Sequence, residues 1–417
     1  MKFLRSALIV LSLLAGLLRA QDDERRAPPT EIPDFSNLDE YIYEPKSTLS
    51  YGFRGLKGAK LKFSGQGKLL APEDPGSAIG ANLLRKYHDG TVSPDARVAL
   101  RYDFSGNAIL DPGSGAAVSD PIAGDGKTNT WRYTDARQIA EIFGYVAMHS
   151  YSADVTDTST RSKDANNTFG MELAVSRDMG TLLGGRLPWT ITAGFSVNDL
   201  SGSTSGGVQA RLRTVTDYFS LYGVTPPDAP YSAPSTSTTN VLDASGNPVI
   251  SESGVAQTVS TDTTVLLGNE PAGRTVSDKT DTTSVTNRWK LKGAYYTFRA
   301  GPTLVLPVSG RFRASVSAGA AIIYSGSNYT VTQSYTPDIG AEITDTSTSF
   351  AYKLLPGYYA DASLQFDITD HAGLYAGAVY QSAGSYSQNL NTATANYATR
   401  VDFANQSGMR AGMTIRF

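Results

Sequence analysis

The chain contains no cysteine among its 417 residues. That excludes thiol-ligated zinc, iron–sulfur clusters and disulfide staples. It also fits export through an oxidising compartment, where stray thiols mispair. Charge is sparse: Asp, Glu, Lys and Arg make up 18% of residues, against roughly 25% in typical soluble domains. A basic excess is missing too, with 36 Lys and Arg against 39 Asp and Glu, so the chain carries no electrostatic footprint for nucleic acid. Beyond the N-terminus, no segment approaches 18 consecutive apolar residues, and no transmembrane helix is encoded. A bilayer protein without such helices has one other solution, a closed barrel whose backbone hydrogen bonds all run between strands.

Abundant residues point the same way. The chain holds 40 Gly and 23 Tyr, a composition that suits tight turns and interfacial aromatic belts. At the N-terminus, Lys2 and Arg5 precede the apolar run Ala7 to Leu18, and Ala20 precedes the polar Gln21-Asp22-Asp23-Glu24. This pattern is that of a secretory signal peptide cleaved after Ala20, with an apolar run too short to cross the ~30 Å hydrocarbon core. Residues 21–47 are polar and hold Pro28, Pro29 and Pro33, the composition of a tether without its own core.

From about Thr48 apolar residues fall at every second position, the period of strands with two chemically different faces. Phe312, Ala314, Val316, Ala318, Ala320, Ile322 and Tyr324 form one face, with Arg313, Ser315, Ser317 and Gly319 opposite. Phe350 to Ile368, Trp189 to Val197 and Phe169 to Val175 alternate likewise. Several segments exceed the ~9–11 residues a tilted membrane strand requires and the ~5–6 usual in a soluble sandwich. Short turns such as Val308-Ser309-Gly310 and Thr369-Asp370-His371 alternate with long loops near 65–130 and 223–286. The expected fold is therefore all-β: a transmembrane antiparallel up-and-down β-barrel spanning 48–417, with its long loops extracellular. Alternating segments at 140–155, 167–178, 189–198, 206–218, 287–306, 311–329, 347–369, 371–387 and 396–417, with a first strand from Leu49 to Phe63, give about 10–12 strands and up to about 14, the count being even. No internal repeat emerges.

The last residues alternate back from Phe417 through Ile415, Met413, Ala411 and Met409. Here the sequence resembles bacterial outer-membrane β-barrel proteins bearing a C-terminal insertion signal, a terminal aromatic preceded by alternating apolar residues. The resemblance implies recognition by the barrel-assembly machinery and periplasmic chaperones, residence in the outer membrane, and contact with its lipid and lipopolysaccharide.

If apolar faces meet lipid, the opposite faces line a lumen. That register places Glu172, Arg211, Arg213, Arg299, Arg311, Arg313, Lys353, Asp361, Asp367, Arg400, Asp402, Arg410 and Arg416 inside, a set rich in positive charge that in a pore favours anions. Trp189, Trp289, Tyr295, Tyr296, Tyr324, Tyr358, Tyr359 and Phe417 are expected in interfacial girdles. His149-Ser150 lacks an evident third partner, and no Gly-x-Ser-x-Gly elbow appears. Asp111-Pro112-Gly113 and Gly124-Asp125-Gly126-Lys127 match neither a calcium loop nor a phosphate loop. These readings lead to a non-enzymatic, cofactor-free and metal-free porin-like passive channel for small hydrophilic solutes. The alternatives are a non-conducting structural or surface-interaction barrel, and a secreted soluble β-protein. Mass spectrometry of the chain purified from bacterial envelopes is expected to give an N-terminus at Gln21; a mature protein retaining Met1 would overturn the signal-peptide assignment.

Overall fold

The computed structural model describes residues 46–69, 75–121, 124–140, 144–251 and 255–417. The expected signal peptide and most of the expected tether lie outside the described residues. Ser47–Arg416 form one compact unit built on eight long strands. These are β1 (Ser47–Lys57 and Lys60–Leu69), β2 (Tyr145–Val155, Arg161–Asp164 and Thr168–Leu182), β3 (Leu187–Ser220), β4 (Gly273–Ser309), β5 (Phe312–Tyr335), β6 (Ile343–Asp367), β7 (Ala372–Ala383 and Ser385–Asn391) and β8 (Ala395–Asp402 and Gln406–Arg416). Each pairs antiparallel with its neighbours in sequence, and β1 closes the ring: Gly52 pairs with Glu172 of β2 on one side and Gly412 of β8 on the other. The result is an up-and-down barrel whose ring is closed toward the short turns, while beyond Gly357 no ladder among the described residues pairs β6 with Ser385–Asn391 of β7.

Eight strands replace the ten to twelve expected from alternation. The expected segments 140–155 and 167–178 fall on one strand, which begins at Tyr145 and is interrupted but continuous in direction. Residues 189–198 and 206–218 are likewise one strand of 34 residues. The Ser- and Gly-rich stretch between them loses the apolar pattern but keeps the ladder, from Ser201 opposite Lys292 to Gly207 opposite Thr286. Backbone pairing does not require apolar side chains, so the hydrophobic signal fades where the strand continues.

The fading marks a change of surroundings. Along β4 the outward face reads Arg288, Lys290 and Lys292, then Tyr296, Phe298, Ala300, Pro302, Leu304 and Leu306. The inward face reads Val285, Trp289, Leu291 and Tyr295, then Thr297, Arg299 and Thr303, all buried. On β3 the same inversion falls between Val197 and Asp199 outside and between Asn198 and Leu200 inside. Asn198 pairs with Tyr295, so the two inversions stand at one height. Toward the short turns the barrel is apolar outside and polar inside, the arrangement of a membrane span. Toward the long loops it is polar outside with an apolar core, like a soluble protein.

At this boundary Phe195, Tyr296, Tyr324 and Tyr352 stack ring upon ring across β3 to β6, with centroids 5.9, 6.3 and 6.4 Å apart. They form an outer aromatic girdle, where the ring meets lipid and the hydroxyl meets water. Trp289, Tyr295 and Tyr359, also expected in girdles, are instead buried. They lie on inward positions, which apolar content alone does not reveal.

On the other half of the wall, β1, β2, β7 and β8 all break their ladders near the boundary, at 58–59, 165–167, 384 and 403–405. Gly58 adopts φ +106°, a left-handed conformation open mainly to glycine. One extra residue flips the side-chain parity that follows. Arg54 and Leu56 point inward before the break in β1, Leu61 and Phe63 after it; Thr399 and Val401 point inward before the break in β8, Gln406 and Arg410 after it.

The two long loops carry a duplicated module. Arg101, Ile109 and Val118 close a cycle of three backbone hydrogen bonds of 2.7–2.9 Å, and Val241, Val249 and Gln257 close another of 2.8–2.9 Å. Each cycle is turned by the same Asp-x-Ser-Gly-Asn sequence. The Asp103 carboxylate accepts from the Ser105 and Asn107 amides, and that of Asp243 from the Ser245 and Asn247 amides. An internal repeat, not apparent from sequence alone, is therefore present. Its signature is only four matching residues, and the rest of each module is free to vary.

The inversion on β4 sets a contrast. Ala300→Arg places a charge on the lipid-facing wall and is expected to cost about 2–4 kcal/mol, lowering the folded fraction in vesicles read by heat-modifiable gel mobility. Thr286→Arg, outward on the same strand above the girdle, is expected to be neutral. Equal behaviour would show that the boundary is misplaced.

Candidate functional site

An interior of eight strands is just wide enough for side chains, and here they meet across it. Glu172 on β2, Arg299 on β4, Asp361 on β6 and Arg410 on β8 all point inward and are buried. Signs alternate around the ring. Arg299 reaches Asp361 at 2.6 Å and Glu172 at 3.4 Å, while Arg410 reaches Glu172 at 2.7 Å and Asp361 at 3.1 Å. Each guanidinium also lies over a tyrosine face, Arg299 over Tyr359 at 5.2 Å and Arg410 over Tyr375 at 4.9 Å. Tyr375 donates to Glu172 at 2.8 Å. Glycine makes the room: a Cβ on Gly194 would lie 2.9 Å from the Arg299 Nε.

A second layer comes from the odd strands. Arg54 on β1 donates to Ser196 on β3 at 3.1 Å and to Gln381 on β7. Gln381 donates to Gln406 (2.5 Å), and Gln406 to the Tyr295 hydroxyl (3.0 Å), which meets Thr168 (3.2 Å). Above these layers the interior is mainly apolar, with Asn287, Ser327 and Gln388 buried and hydrogen-bonded among the apolar side chains. Phe63 of β1 stacks on Tyr329 of β5 at 6.0 Å, and Tyr295 of β4 meets Phe403 of β8 at 5.1 Å. Both pairs join opposite walls. Below the ring lies a polar vestibule of about 120 Å³, lined by Ser176, Thr192, Thr303 and Ser315 and bounded by Asp361 and Arg410.

The residues expected in the lumen thus divide. Glu172, Arg299, Asp361 and Arg410 meet in the ring. Arg313 and Arg416 both pair with Asp367, at 2.7 and 2.5 Å, nearer the short turns. Arg311 is exposed in the turn between β4 and β5, and Lys353, although opposite Ser325, is exposed. Arg211 and Arg213 are exposed on the outer face while Ala210 and Leu212 are buried, because beyond the girdle the apolar face is the inner one. Arg400 and Asp402 stand in the outer register because the break at 403–405 inverts parity relative to Arg410. Met409, Ala411, Met413 and Ile415 all face outward and are exposed. Arg54 and Tyr375 were missed; both alternate with outward apolar neighbours, Phe53 and Leu374, a signal that was legible.

A second buried cluster lies toward the loops. A small sheet of Arg85–Tyr87, Gly90–Val92, Trp131–Tyr133 and Tyr231–Ser232 packs its core on Val146, Met148 and Phe219 at the ends of β2 and β3. Two carboxylates tie it down. Asp89 accepts from the His149 amide at 2.8 Å and meets its Nδ1 at 2.5 Å. Asp217 of β3 accepts from Tyr87 at 2.5 Å and from Arg274 of β4 at 2.6 and 2.7 Å. Burial, reinforced by Asp217, raises the Tyr87 pKa far above its usual value, so the phenol stays protonated and donates. His149, without an evident partner in sequence, has Asp89 in the fold; both are buried, at 4% and 0% exposure. Sixty residues of loop separate them, which no local pattern bridges.

No family model and no curated protein matches the chain. Among solved structures it is similar to the outer membrane protease OmpT from Escherichia coli, with 11% identity, 93% of this chain and 100% of that one covered, and a TM-score of 0.28. It is also similar to a Pseudomonas aeruginosa FadL homologue, with 8% identity, coverage of 89% and 90%, and a TM-score of 0.17. The closed ring of strand pairs defines the fold as that of an outer-membrane β-barrel; likenesses this distant add nothing about chemistry. The expectation that the chain is no enzyme is nevertheless withdrawn, since the first of these structures is a protease. At that identity the match assigns no activity.

Arg299→Met would leave Glu172 and Asp361 sharing one fewer partner in a buried site. Breaking such a pair is expected to cost about 3–5 kcal/mol, measured by urea unfolding of the barrel in vesicles. Unchanged stability would show that the ring does not brace the barrel.

Proposed function

We propose that the protein is a non-conducting barrel of a bacterial outer membrane that presents a structured surface on its long-loop side, facing the cell exterior. One observation carries this reading: side chains meet across the interior, in a ring of ion pairs that links every second strand in the membrane span and in contacts between opposite walls above it. A porin-like passage, the expectation from sequence, would have to run past these contacts. The polar vestibule of about 120 Å³ ends at Asp361 and Arg410.

The surface-interaction role draws on the loops. The duplicated modules expose apolar side chains at equivalent positions, Tyr102 with Leu242 and Leu110 with Ile250. Exposed apolar groups on a structured projection are typical of contact surfaces. Outer-membrane residence draws on the polarity inversion and on the outward Met409, Ala411, Met413 and Ile415 preceding Phe417, the strand proposed to engage the assembly machinery.

The test is electrical. Barrel inserted in planar bilayers, with insertion verified by heat-modifiable mobility, is expected to give no stepwise current. Discrete conductance steps from wild-type protein would overturn the proposal and restore the channel.

A further inference from the structure

The broken half of the wall joins a lipid-facing groove to a cluster of lysines. On the lipid-facing side below the breaks in β1, β2, β7 and β8 runs a groove of about 710 Å³. Small outward residues, Gly55, Ala360, Ala362 and Ala378, form the middle of its floor, and Val316, Tyr380, Phe169 and Met409 flank it. Above the breaks, a second hollow of about 670 Å³ is lined by Lys60, Lys62 and Lys163. The two meet at Asn167, which lines both, and Lys57 stands at the top of the groove.

The break in β1 produces this crowding. Lys57 and Lys60 are three apart, a spacing that would put them on opposite faces of an unbroken strand. The extra residue at Gly58 restores both to the outer face, where Lys62 follows. All four lysines are exposed, and none forms an ion pair with a described residue. Arg400 faces outward opposite Lys62, and the acids nearby, Asp164 and Asp402, both stand opposite Lys60. Lys57, Lys60, Lys62 and Arg400 share the outer face with Asp164 and Asp402, and Lys163 lines the hollow from the register of Leu61, at the height where lipid headgroups begin.

We propose that this is a binding site for a phosphorylated lipid of the outer leaflet, with its phosphates among Lys57, Lys60, Lys62 and Lys163 and an acyl chain in the groove beneath. An ammonium cluster attracts phosphate at a membrane surface, and the small floor admits a chain that larger side chains would exclude. The outward ladder of Arg288, Lys290 and Lys292 on β4 has similar charge but stands over the stacked girdle, with Ala294 alone between Lys292 and the large Tyr296 and Phe298. The proposal rests on the outer-membrane reading above and adds the lipid class and its residues.

The test uses the mature chain inserted in phosphatidylcholine vesicles, with insertion scored by heat-modifiable mobility and diphosphoryl lipid A titrated as the probe. Wild type is expected to bind one lipid A. The Lys60→Gln, Lys62→Gln, Lys163→Gln triple variant should bind about tenfold or more weakly, and Ala378→Phe, which fills the groove, several-fold more weakly. Arg288→Gln with Lys290→Gln and Lys292→Gln should bind like wild type, and dephosphorylated lipid A should bind poorly. Equal loss in the β4 variant, or no loss in the lysine triple, would overturn the site. Displacement of the lipid by inorganic phosphate, with Ala378→Phe silent, would overturn the groove's part in it. A wild-type chain that fails to insert would overturn both readings, whereas one that inserts and binds no better than the triple variant overturns this one alone.

Discussion

Closing the sheet at eight strands leaves an interior that must be filled by the inward side chains themselves, and the rest of the molecule follows from that. In the membrane span the outer face is committed to lipid, so polar residues have only the inside to occupy. There they cannot remain solvated, because the space admits little water. In the alternating ring of Glu172, Arg299, Asp361 and Arg410 each charge has two opposite neighbours, which offset the repulsion between Arg299 and Arg410 where they share one Asp361 oxygen. Arg54, held by Ser196 and Gln381, continues the packing with neutral acceptors.

The same narrowness explains the aromatic core above the girdle. Once the wall leaves the bilayer its outer face meets water, and Arg288, Lys290 and Lys292 can stand outside. The interior then packs as soluble cores do, through Trp289, Leu291, Tyr329 and Phe403. One strand thus serves two solvents by exchanging its faces without breaking its ladder. Where β1, β2, β7 and β8 do break, the parity flip re-aims lysines toward the boundary instead of burying them.

Much of this was legible in the residues. Alternation located all eight strands, even where it split β2 and β3 in two, and it put Glu172, Arg299, Asp361 and Arg410 on inward positions. It failed where one assumption ceased to hold, namely that apolar means lipid-facing. Arg211 and Arg213 were assigned inside because Ala210 and Leu212 are apolar, yet at that height apolar means interior. Arg400 and Asp402 failed for a different reason, a break three residues long that inverts everything on one side of it.

The sequence by itself determined that this chain forms long two-faced strands, because period-two alternation is a local property that each strand carries alone. It also determined which residue types line each face within a segment. Only the tertiary structure decided that the strands number eight, that the interior is filled, and that Asp89 meets His149 or Asp217 meets Arg274. Those outcomes depend on which strands close the ring and on where the breaks fall, and the physical terms involved are set between residues far apart in the chain.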